Sequence, residues 1–232
     1  MYTDFNLEVS SVCNLDCIFC NYHSTTRDHK FMDTGSVRNC LHKMQMFNPS
    51  PDTFNLTGLG EPLLNPDFFS IVELVRKFFP DTRIAVNTNC INLTKNIIKK
   101  ICDSSLDTVC CSIRFTSRKK FLRMCKKNSY FNVVENVRYF LAFKGNRSPN
   151  VHLQVFGFFN ALMFYLQWFW RLNKNDSITV EHCLDLKPGS KLLDKKIMAQ
   201  KDNVLYCDID GNLFFSCLAP WSDKPEKYRI NI

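Results

Sequence analysis

Apolar residues along the chain follow two spacings, one typical of strands and the other typical of helices. Val37, Leu41 and Met44 recur every three or four residues, which predicts a helix over 34–47. Strand-type runs alternate with such helical segments and are predicted at 5–9, 53–57, 83–87, 108–113, 151–156 and 177–181. This alternation predicts a parallel sheet whose crossovers are right-handed.

The number of strand–helix units predicts an α/β fold that is a partial, open TIM-like barrel. A closed eight-unit barrel typically takes about 250 residues, whereas about six βα units here take residues 1–185. The remaining segment, 186–232, is rich in lysine and then has two apolar runs around an Asp210-Gly211 turn. That pattern predicts a small C-terminal β-hairpin extension as a second domain.

One apolar stretch, at 155–172, is about as long as a membrane span. Gly157, Asn160 and Gln167 interrupt it, so a strand leading into a buried or interface helix is favoured and membrane binding is not expected. A peripheral contact with a membrane or partner through Phe164, Trp168 and Trp170 remains open at this stage.

Composition excludes a disordered chain, because 45% of the residues are hydrophobic and 22% are charged. The net charge of +8 favours anionic partners, but lysines on predicted helices account for it as a solvated face, so no nucleic acid is expected. Twelve cysteines need an explanation. The acidic N-terminal segment lacks signal-peptide features, and Cys110 and Cys111 are adjacent, which predicts a cytoplasmic chain whose reduced thiols bind metal.

The strongest motif is a run of three cysteines, Cys13, Cys17 and Cys20, directly after the first strand. Loops at this end of barrel strands carry the active sites of α/β barrels. Three thiolates within eight residues can each hold one iron of a [4Fe–4S] cluster, which leaves the fourth iron without a protein ligand. A zinc site completed by His23 is the alternative.

The cysteine run CNLDCIFC resembles the signature of the radical S-adenosylmethionine (radical SAM) superfamily. A second segment, LTGLGEPLLNPDFF at 56–69, resembles the glycine-rich segment with which the superfamily binds the methionyl amine of SAM. By itself, this segment would be read as a strand-to-helix turn. The resemblance implies a cluster held by the three cysteines and SAM contacts at Gly58, Leu59, Gly60 and Glu61. It also implies reductive cleavage of S-adenosyl-L-methionine to a 5′-deoxyadenosyl radical that abstracts hydrogen from substrate.

Weaker matches to the superfamily follow the third, fourth and fifth strands. They imply SAM contacts at Asn87, Thr88, Asn89, Ser112, Arg114 and Gln154. Arg114 stands where relatives often carry an acid, and it is expected to hold either the SAM carboxylate or an anionic group of the substrate. Cys90 replaces a glycine of the superfamily and, with Cys125, is a candidate donor of a hydrogen atom. Each of these residues also has a purely structural interpretation.

The C-terminal segment resembles the auxiliary-cluster domains called SPASM and, in shorter form, twitch. The resemblance rests on a hairpin glycine between two cysteines and implies a second Fe–S cluster bound by Cys183, Cys207 and Cys217. Five residues rather than the usual four separate Gly211 from Cys217. Reduced thiols in a plain hairpin are the alternative.

These features predict a radical SAM enzyme that acts on a ribosomal peptide by crosslinking, oxidation or epimerisation. Dehydrogenation or modification of a sugar, an aminoglycoside or a nucleoside is the alternative within the superfamily. A non-catalytic iron–sulfur electron carrier is the alternative of another class. The resemblance also implies a flavodoxin or ferredoxin-type protein as electron donor.

Overall fold

The computed structural model describes residues 2–20, 22, 27–181, 203–216, 220 and 225–230, and only the backbone at 158–161 and 181. These residues form two compact units. The first takes its described residues from Met1–Cys13, Asn21–Ile84 and Asp185–Ile232, and the second from Asn14–Cys20 and Ala85–Leu184. The predicted boundary at residue 185 lies outside the described part of the chain.

The principal elements alternate between strand and helix, as the apolar pattern predicted. In chain order they are β1 (Asp4–Leu7), α1 (Thr34–Gln45), β2 (Thr53–Leu56), α2 (Phe68–Phe78), β3 (Arg83–Thr88), α3 (Lys95–Asp103), β4 (Thr108–Arg114), α4 (Arg118–Cys125), α5 (Tyr130–Lys144), β5 (Asn150–Phe156), α6 (Phe158–Trp168), β6 (Ser177–Glu181), β7 (Val204–Cys207), β8 (Leu213–Phe214) and β9 (Arg229–Ile230).

In the first unit, the strands lie side by side in the order β2-β1-β7-β8-β9. β1 pairs in parallel with both β2 and β7, whereas β7 and β8 form the predicted antiparallel hairpin. Phe5, Phe54 and Phe79 lie at the centre of this unit, with ring centroids 5.4–6.1 Å apart. These buried rings pack α2 against the strands.

In the second unit, the strands lie in the order β3-β4-β5-β6, and all of them are parallel. Thr94 caps α3, as predicted, because its hydroxyl accepts a hydrogen bond from the backbone N–H of Ile97 at 3.3 Å. Lys144 and Asp176 form an ion pair of 3.0 Å in which both side chains are buried. Asp176 also accepts from the backbone N–H of Val151 at 2.7 Å and so joins β5 to the turn before β6.

All six predicted strands are present, with ends that differ from the expected ones by at most two residues. The helical material expected within 117–143 is divided into α4 and α5, because Lys126 ends α4 in the left-handed conformation with φ 55°. No helix among the described residues is long and apolar enough to cross a membrane. Phe164 and Trp168 are buried, so they offer no contact surface, whereas Trp170 is 74% exposed.

Candidate active site

The glycine-rich segment after β2 is hydrogen-bonded to the chain that leaves β1. The backbone N–H of Gly60 donates to the carbonyl of Ser10 at 3.1 Å, and that of Glu61 donates to the carbonyl of Val12 at 2.8 Å. A Cβ atom at residue 60 would lie 2.3 Å from the Ser10 oxygen and 2.6 Å from the Val12 oxygen. Glycine is therefore required here for close approach to the chain's own backbone, and the segment runs beside the residues that lead into Cys13.

Glu8, which follows β1, holds the same segment from the other side. Its carboxylate is fully buried, accepts from the backbone N–H groups of Leu59 at 2.9 Å and Ile209 at 3.1 Å, and pairs with Arg27. Burial acts to lower the pKa of Arg27, but the ion pair with Glu8 outweighs it and the pKa is raised. A Cβ atom on Gly58 would lie 2.3 Å from the Glu8 side chain. The sequence interpretation missed Glu8, although an acid at the end of an apolar strand run was a usable signal.

Glu61 is buried, and its carboxylate accepts from the backbone N–H of Leu63 at 3.3 Å. It thereby caps the short 3₁₀-helix Pro62–Leu64. One carboxylate oxygen thus orders the turn after the glycine-rich segment. The expected contact of Glu61 with the SAM amine stays a prediction.

Cys13 belongs to the first unit and is half-buried. Its backbone N–H donates to the hydroxyl of Tyr22 at 3.3 Å. The Tyr22 ring stacks on His29 at 4.6 Å, and the His29 ring makes a hydrogen bond of 2.9 Å with the carbonyl of Ser11. The loop that starts at Cys13 is thus tied back to the chain just before it.

The rest of the cysteine loop, in the second unit, is held by the last turn of α4. The backbone N–H of Ile18 donates to the carbonyl of Met124 at 2.9 Å, and that of Asp16 donates to the carbonyl of Cys125 at 3.3 Å. Carbonyls at a helix C-terminus have no partner within the helix, so the loop satisfies them. This contact fixes the backbone on both sides of Cys17.

Cys17 and Cys20 are half-buried and belong to one tight turn, in which the N–H of Cys20 donates to the carbonyl of Cys17 at 3.0 Å. A hydrogen bond with the Cys125 thiol raises the pKa of the Cys17 thiol, and burial raises it further. Within the part of the chain that the structure describes, no group of three His, Cys, Asp or Glu side chains is arranged to hold a single metal ion. The donor chemistry of Cys13, Cys17 and Cys20 nevertheless fits a cluster, since Fe–S clusters are held by cysteine thiolates. His23, the alternative zinc ligand, lies outside the described residues.

A polar network lies at the carboxyl ends of β4 and β5. Ser112 donates to the side-chain oxygen of Gln154 at 2.7 Å, and Arg114 donates to the Ser112 hydroxyl at 3.1 Å. The Arg114 guanidinium also lies 4.6 Å from the centre of the Phe156 ring. Arg114 adopts the left-handed conformation with φ 66°. Three of the predicted SAM-site residues are therefore brought together at the edge of the sheet where α/β proteins bind ligands.

The residues after β3 form a second polar group in the same unit. Asn89 donates to the side-chain oxygen of Asn14 at 2.6 Å, and Lys127 donates to the Asn14 carbonyl at 2.9 Å. Asn87 and Thr88 are the last two residues of β3. These contacts place Asn89 beside the start of the loop that carries Cys17 and Cys20.

Cys90 is buried and adopts the left-handed conformation with φ 65°, which glycine adopts without strain. Its thiol donates to the carbonyl of Thr88 at 3.5 Å, and its own carbonyl accepts from Asn136 at 3.0 Å. Hydrogen donation from Cys90 stays a prediction.

Of the three predicted auxiliary-cluster ligands, only Cys207 lies within the described residues. It is fully buried in β7, and its thiol donates to the carbonyl of Asp208 at 3.7 Å. The neighbouring Cys207 thiol lowers the pKa of Cys40 on α1, although burial acts to raise it. The role of Cys207 as an auxiliary-cluster ligand stays a prediction. Cys183 and Cys217 lie outside the described residues.

Comparison with protein families and curated proteins gives consistent matches. A family model described as the Radical SAM superfamily matches residues 7–158. GTP 3′,8-cyclase from Psychromonas ingrahamii is 26% identical over 133 residues, which cover 56% of this chain and 38% of that protein. The tungsten-containing aldehyde ferredoxin oxidoreductase cofactor-modifying protein from Pyrococcus furiosus is 28% identical over 103 residues, 44% of this chain and 28% of that protein. The chain thus matches well under half the length of these relatives.

Solved structures share the fold at low sequence identity. Native anSMEcpe with bound AdoMet has a TM-score of 0.71 at 14% identity, over 98% of this chain and 77% of that chain. Streptococcus suis SuiB bound to precursor peptide SuiA has a TM-score of 0.64 at 11% identity, over 96% of this chain and 61% of that chain. BtrN in complex with AdoMet and 2-DOIA has a TM-score of 0.59 at 13% identity, over 100% of this chain and 78% of that chain. These likenesses confirm the predicted fold class, an open, partial α/β barrel.

Proposed function

Because the chain belongs to the radical SAM superfamily, we propose that it binds a [4Fe–4S] cluster through Cys13, Cys17 and Cys20 and uses it to cleave SAM. A [4Fe–4S] cluster and S-adenosyl-L-methionine are the cofactors of this superfamily, and such enzymes need a reductant. Once bound, they supply an electron and a carbon radical that removes hydrogen from an unactivated position. The protein's contribution is to hold these groups, orient the substrate and exclude water.

A single observation carries this proposal: the hydrogen bonds of Gly60 and Glu61 to the carbonyls of Ser10 and Val12. They lock the glycine-rich segment against the residues that precede the first cysteine of the motif. The glycine-rich segment and the residues that lead into Cys13, which are far apart along the chain, thereby become neighbours within the first compact unit. An iron–sulfur electron carrier does not need this arrangement, since it has no SAM to hold.

Residues of the second unit supply the other functions that the reaction needs. Phe19, next to Cys20, packs its ring edge against Phe115 at 6.1 Å and Phe156 at 5.2 Å. These rings form an apolar wall beside the cysteine turn. Arg114, which is oriented by Ser112, provides a cation for the SAM carboxylate, since charge-assisted hydrogen bonds to carboxylates are strong. Gly58, Leu59, Asn87, Thr88, Asn89 and Gln154 complete the proposed SAM contacts.

For the substrate we favour a ribosomal peptide, which is modified by crosslinking, oxidation or epimerisation. The structural likeness to SuiB bound to precursor peptide SuiA supports this choice. A polar small molecule is the second candidate. The structural likeness to BtrN bound to 2-DOIA, which extends over 100% of this chain, favours it. The net charge of +8 suits a cytoplasmic, acidic electron donor of the flavodoxin or ferredoxin type.

Anaerobic reconstitution with iron and sulfide tests the proposal. The wild-type chain should bind about four irons and release 5′-deoxyadenosine when mixed with dithionite and SAM. A variant with Cys13→Ala, Cys17→Ala and Cys20→Ala should do neither, whereas Cys102→Ala, a matched change on α3, should behave as wild type. A wild-type chain that binds the cluster but never forms 5′-deoxyadenosine would contradict the enzymatic function.

Substrate class is tested by adding a pool of short peptides or a pool of polyols and aminosugars to the same reaction. The peptide proposal expects faster 5′-deoxyadenosine formation and a mass change only in the peptide pool. Stimulation by the polyols alone would replace the peptide with the second candidate.

A further inference from the structure

A basic surface borders the cysteine loop in the second unit. Between Asp107 and Glu135 the chain carries seven lysine or arginine residues and no acidic residue. Four of the exposed ones, on α4 and just after it, form what we call the α4 surface: Lys119, Arg123, Lys126 and Lys127. We propose that the α4 surface docks a small acidic protein of the flavodoxin type, which delivers an electron to the cluster. This inference rests on the proposed function, because a chain that holds no cluster needs no donor.

The α4 surface is joined directly to the loop that carries the last two cysteines of the motif. The backbone N–H of Ile18 in that loop donates to the carbonyl of Met124 in the last turn of α4 at 2.9 Å. The ammonium group of Lys127 donates to the carbonyl of Asn14, at the start of the loop, at 2.9 Å. An electron crosses protein rapidly only over short distances, so a donor for this cluster has to dock beside the loop. The α4 surface meets that requirement.

The charges of the α4 surface are not neutralised within the part of the chain that the structure describes. Lys119, Arg123 and Lys126 form no ion pair with any described residue. Phe121 and Cys125 form the buried side of α4, so Lys119 and Arg123, which are four residues apart, share the outer side. A surface of one sign attracts carboxylates and speeds the approach of a protein that carries them.

Exposed aliphatic side chains accompany these charges. Ile18 is 56% exposed, although it lies between Cys17 and Cys20 in the sequence, and Leu122 on α4 is 43% exposed. Asp16 is the only acidic residue at 14–20. Protein interfaces combine an apolar centre with a polar rim. The dimethylbenzene edge of a flavin is apolar, so a carrier that surrounds this edge with carboxylates matches both the aliphatic side chains and the cations.

The transfer moves an electron and no atoms. The reduced flavin of the docked carrier loses one electron, and the oxidised cluster gains it, so each docking event reduces one cluster. The carrier can then leave, because exposed ion pairs hold it weakly and salt screens them. A flavin carrier thus supplies the reductant that the proposed function requires.

The first experiment measures binding without catalysis, by calorimetric titration of the cluster-loaded full chain with oxidised flavodoxin at low salt. The variant Lys119→Glu/Arg123→Glu should bind at least about tenfold more weakly than wild type, because two attractive charges become repulsive. Lys95→Glu/Lys99→Glu is the matched control, with the same charge change and spacing at exposed positions of α3, and should bind as wild type does. Wild-type affinity in the α4 variant, or equal weakening in both variants, would overturn the proposal.

Other occupants of the surface are separated in the same titration. A single-stranded RNA of about 20 nucleotides is the nucleic-acid probe, since a basic surface can also bind phosphates. Tighter binding of this RNA than of flavodoxin at the same salt concentration would overturn the proposal. Reduction of the cluster by a ferredoxin but not by flavodoxin would overturn the choice of a flavin carrier.

The second experiment measures delivery of the electron, with 5′-deoxyadenosine as the product. With limiting reduced flavodoxin, Lys119→Glu/Arg123→Glu should be at least about tenfold slower than wild type, whereas with dithionite, which needs no docking protein, it should be within about twofold. An equal loss with both reductants would overturn the docking site. A wild-type chain that binds flavodoxin but releases no 5′-deoxyadenosine with either reductant would contradict the proposed function and leave the docking site supported.

Discussion

The Glu8 carboxylate accepts a hydrogen bond from the backbone N–H of Leu59 at 2.9 Å, across 51 residues of chain. The same carboxylate pairs with Arg27 and accepts from Ile209 of the hairpin. One buried side chain thus links the end of β1, the glycine-rich segment and the C-terminal hairpin. It is a positioning residue for the proposed SAM site, because it orients the segment through the backbone and not through the ligand.

Replacing Glu8→Gln should destabilise the protein and weaken SAM binding. The change leaves the Arg27 charge buried without its counter-ion, which costs about 3 kcal/mol of unfolding free energy. Urea denaturation measures that loss, and equilibrium dialysis should show about tenfold weaker SAM binding. Glu135→Gln, at an exposed position on α5, is the matched control and should change neither quantity. Wild-type stability in Glu8→Gln would contradict this account of the ion pair.

Replacing Gly60→Ala should displace the glycine-rich segment, since the new Cβ would lie 2.3 Å from the Ser10 carbonyl oxygen. We expect SAM binding weaker by at least about tenfold, which corresponds to one lost backbone hydrogen bond, and little 5′-deoxyadenosine. Gly35→Ala in the first turn of α1 is the control, because alanine favours helix and a Cβ atom there would meet only the Asp33 carboxylate, at 3.1 Å. If the two variants behave alike, the close approach of Gly60 is not what orders the site.

Replacing Arg114→Met should weaken binding of SAM by roughly tenfold to a hundredfold, the usual value of a hydrogen bond to a charged group. The loss should disappear when decarboxylated SAM is the ligand, because that molecule lacks the proposed partner. Arg118→Met, at an exposed position on α4, should bind SAM as wild type does. An unchanged SAM affinity combined with a raised substrate KM would assign Arg114 to an anionic group of the substrate.

We expect the Lys144–Asp176 ion pair to contribute to the free energy of unfolding and not to cofactor chemistry. Lys144→Met should lower the free energy of unfolding by about 3 kcal/mol, because it leaves the Asp176 carboxylate buried and unpaired. The double variant Lys144→Met/Asp176→Asn should recover part of that loss, as a double-mutant cycle by denaturant unfolding would measure. A double variant that is less stable than either single variant would contradict the pairing.

Local features of the site could be predicted because they depend on residues close together in the chain. The cysteine spacing, the glycine-rich segment and the Thr94 cap each occupy only a few consecutive positions, and short-range geometry limits what they can form. The burial of Cys207 against Cys40 could not be predicted in this way. Its spacing from Gly211 resembled a cluster hairpin, and nothing near Cys207 in the sequence indicates that α1 covers it.

The sequence by itself determined the alternation of strands and helices, the hairpin and the superfamily, because hydrophobic periodicity and compact motifs are local properties of the chain. Only the tertiary structure decided which groups Glu8 holds together, since one of its partners, Ile209, is 201 residues away. It likewise decided that Gly60 is required by the carbonyls of Ser10 and Val12. Such contacts form only when the strands pair and pack. The role of a buried charge or of a missing Cβ atom therefore depends on the distant residues that packing brings next to it.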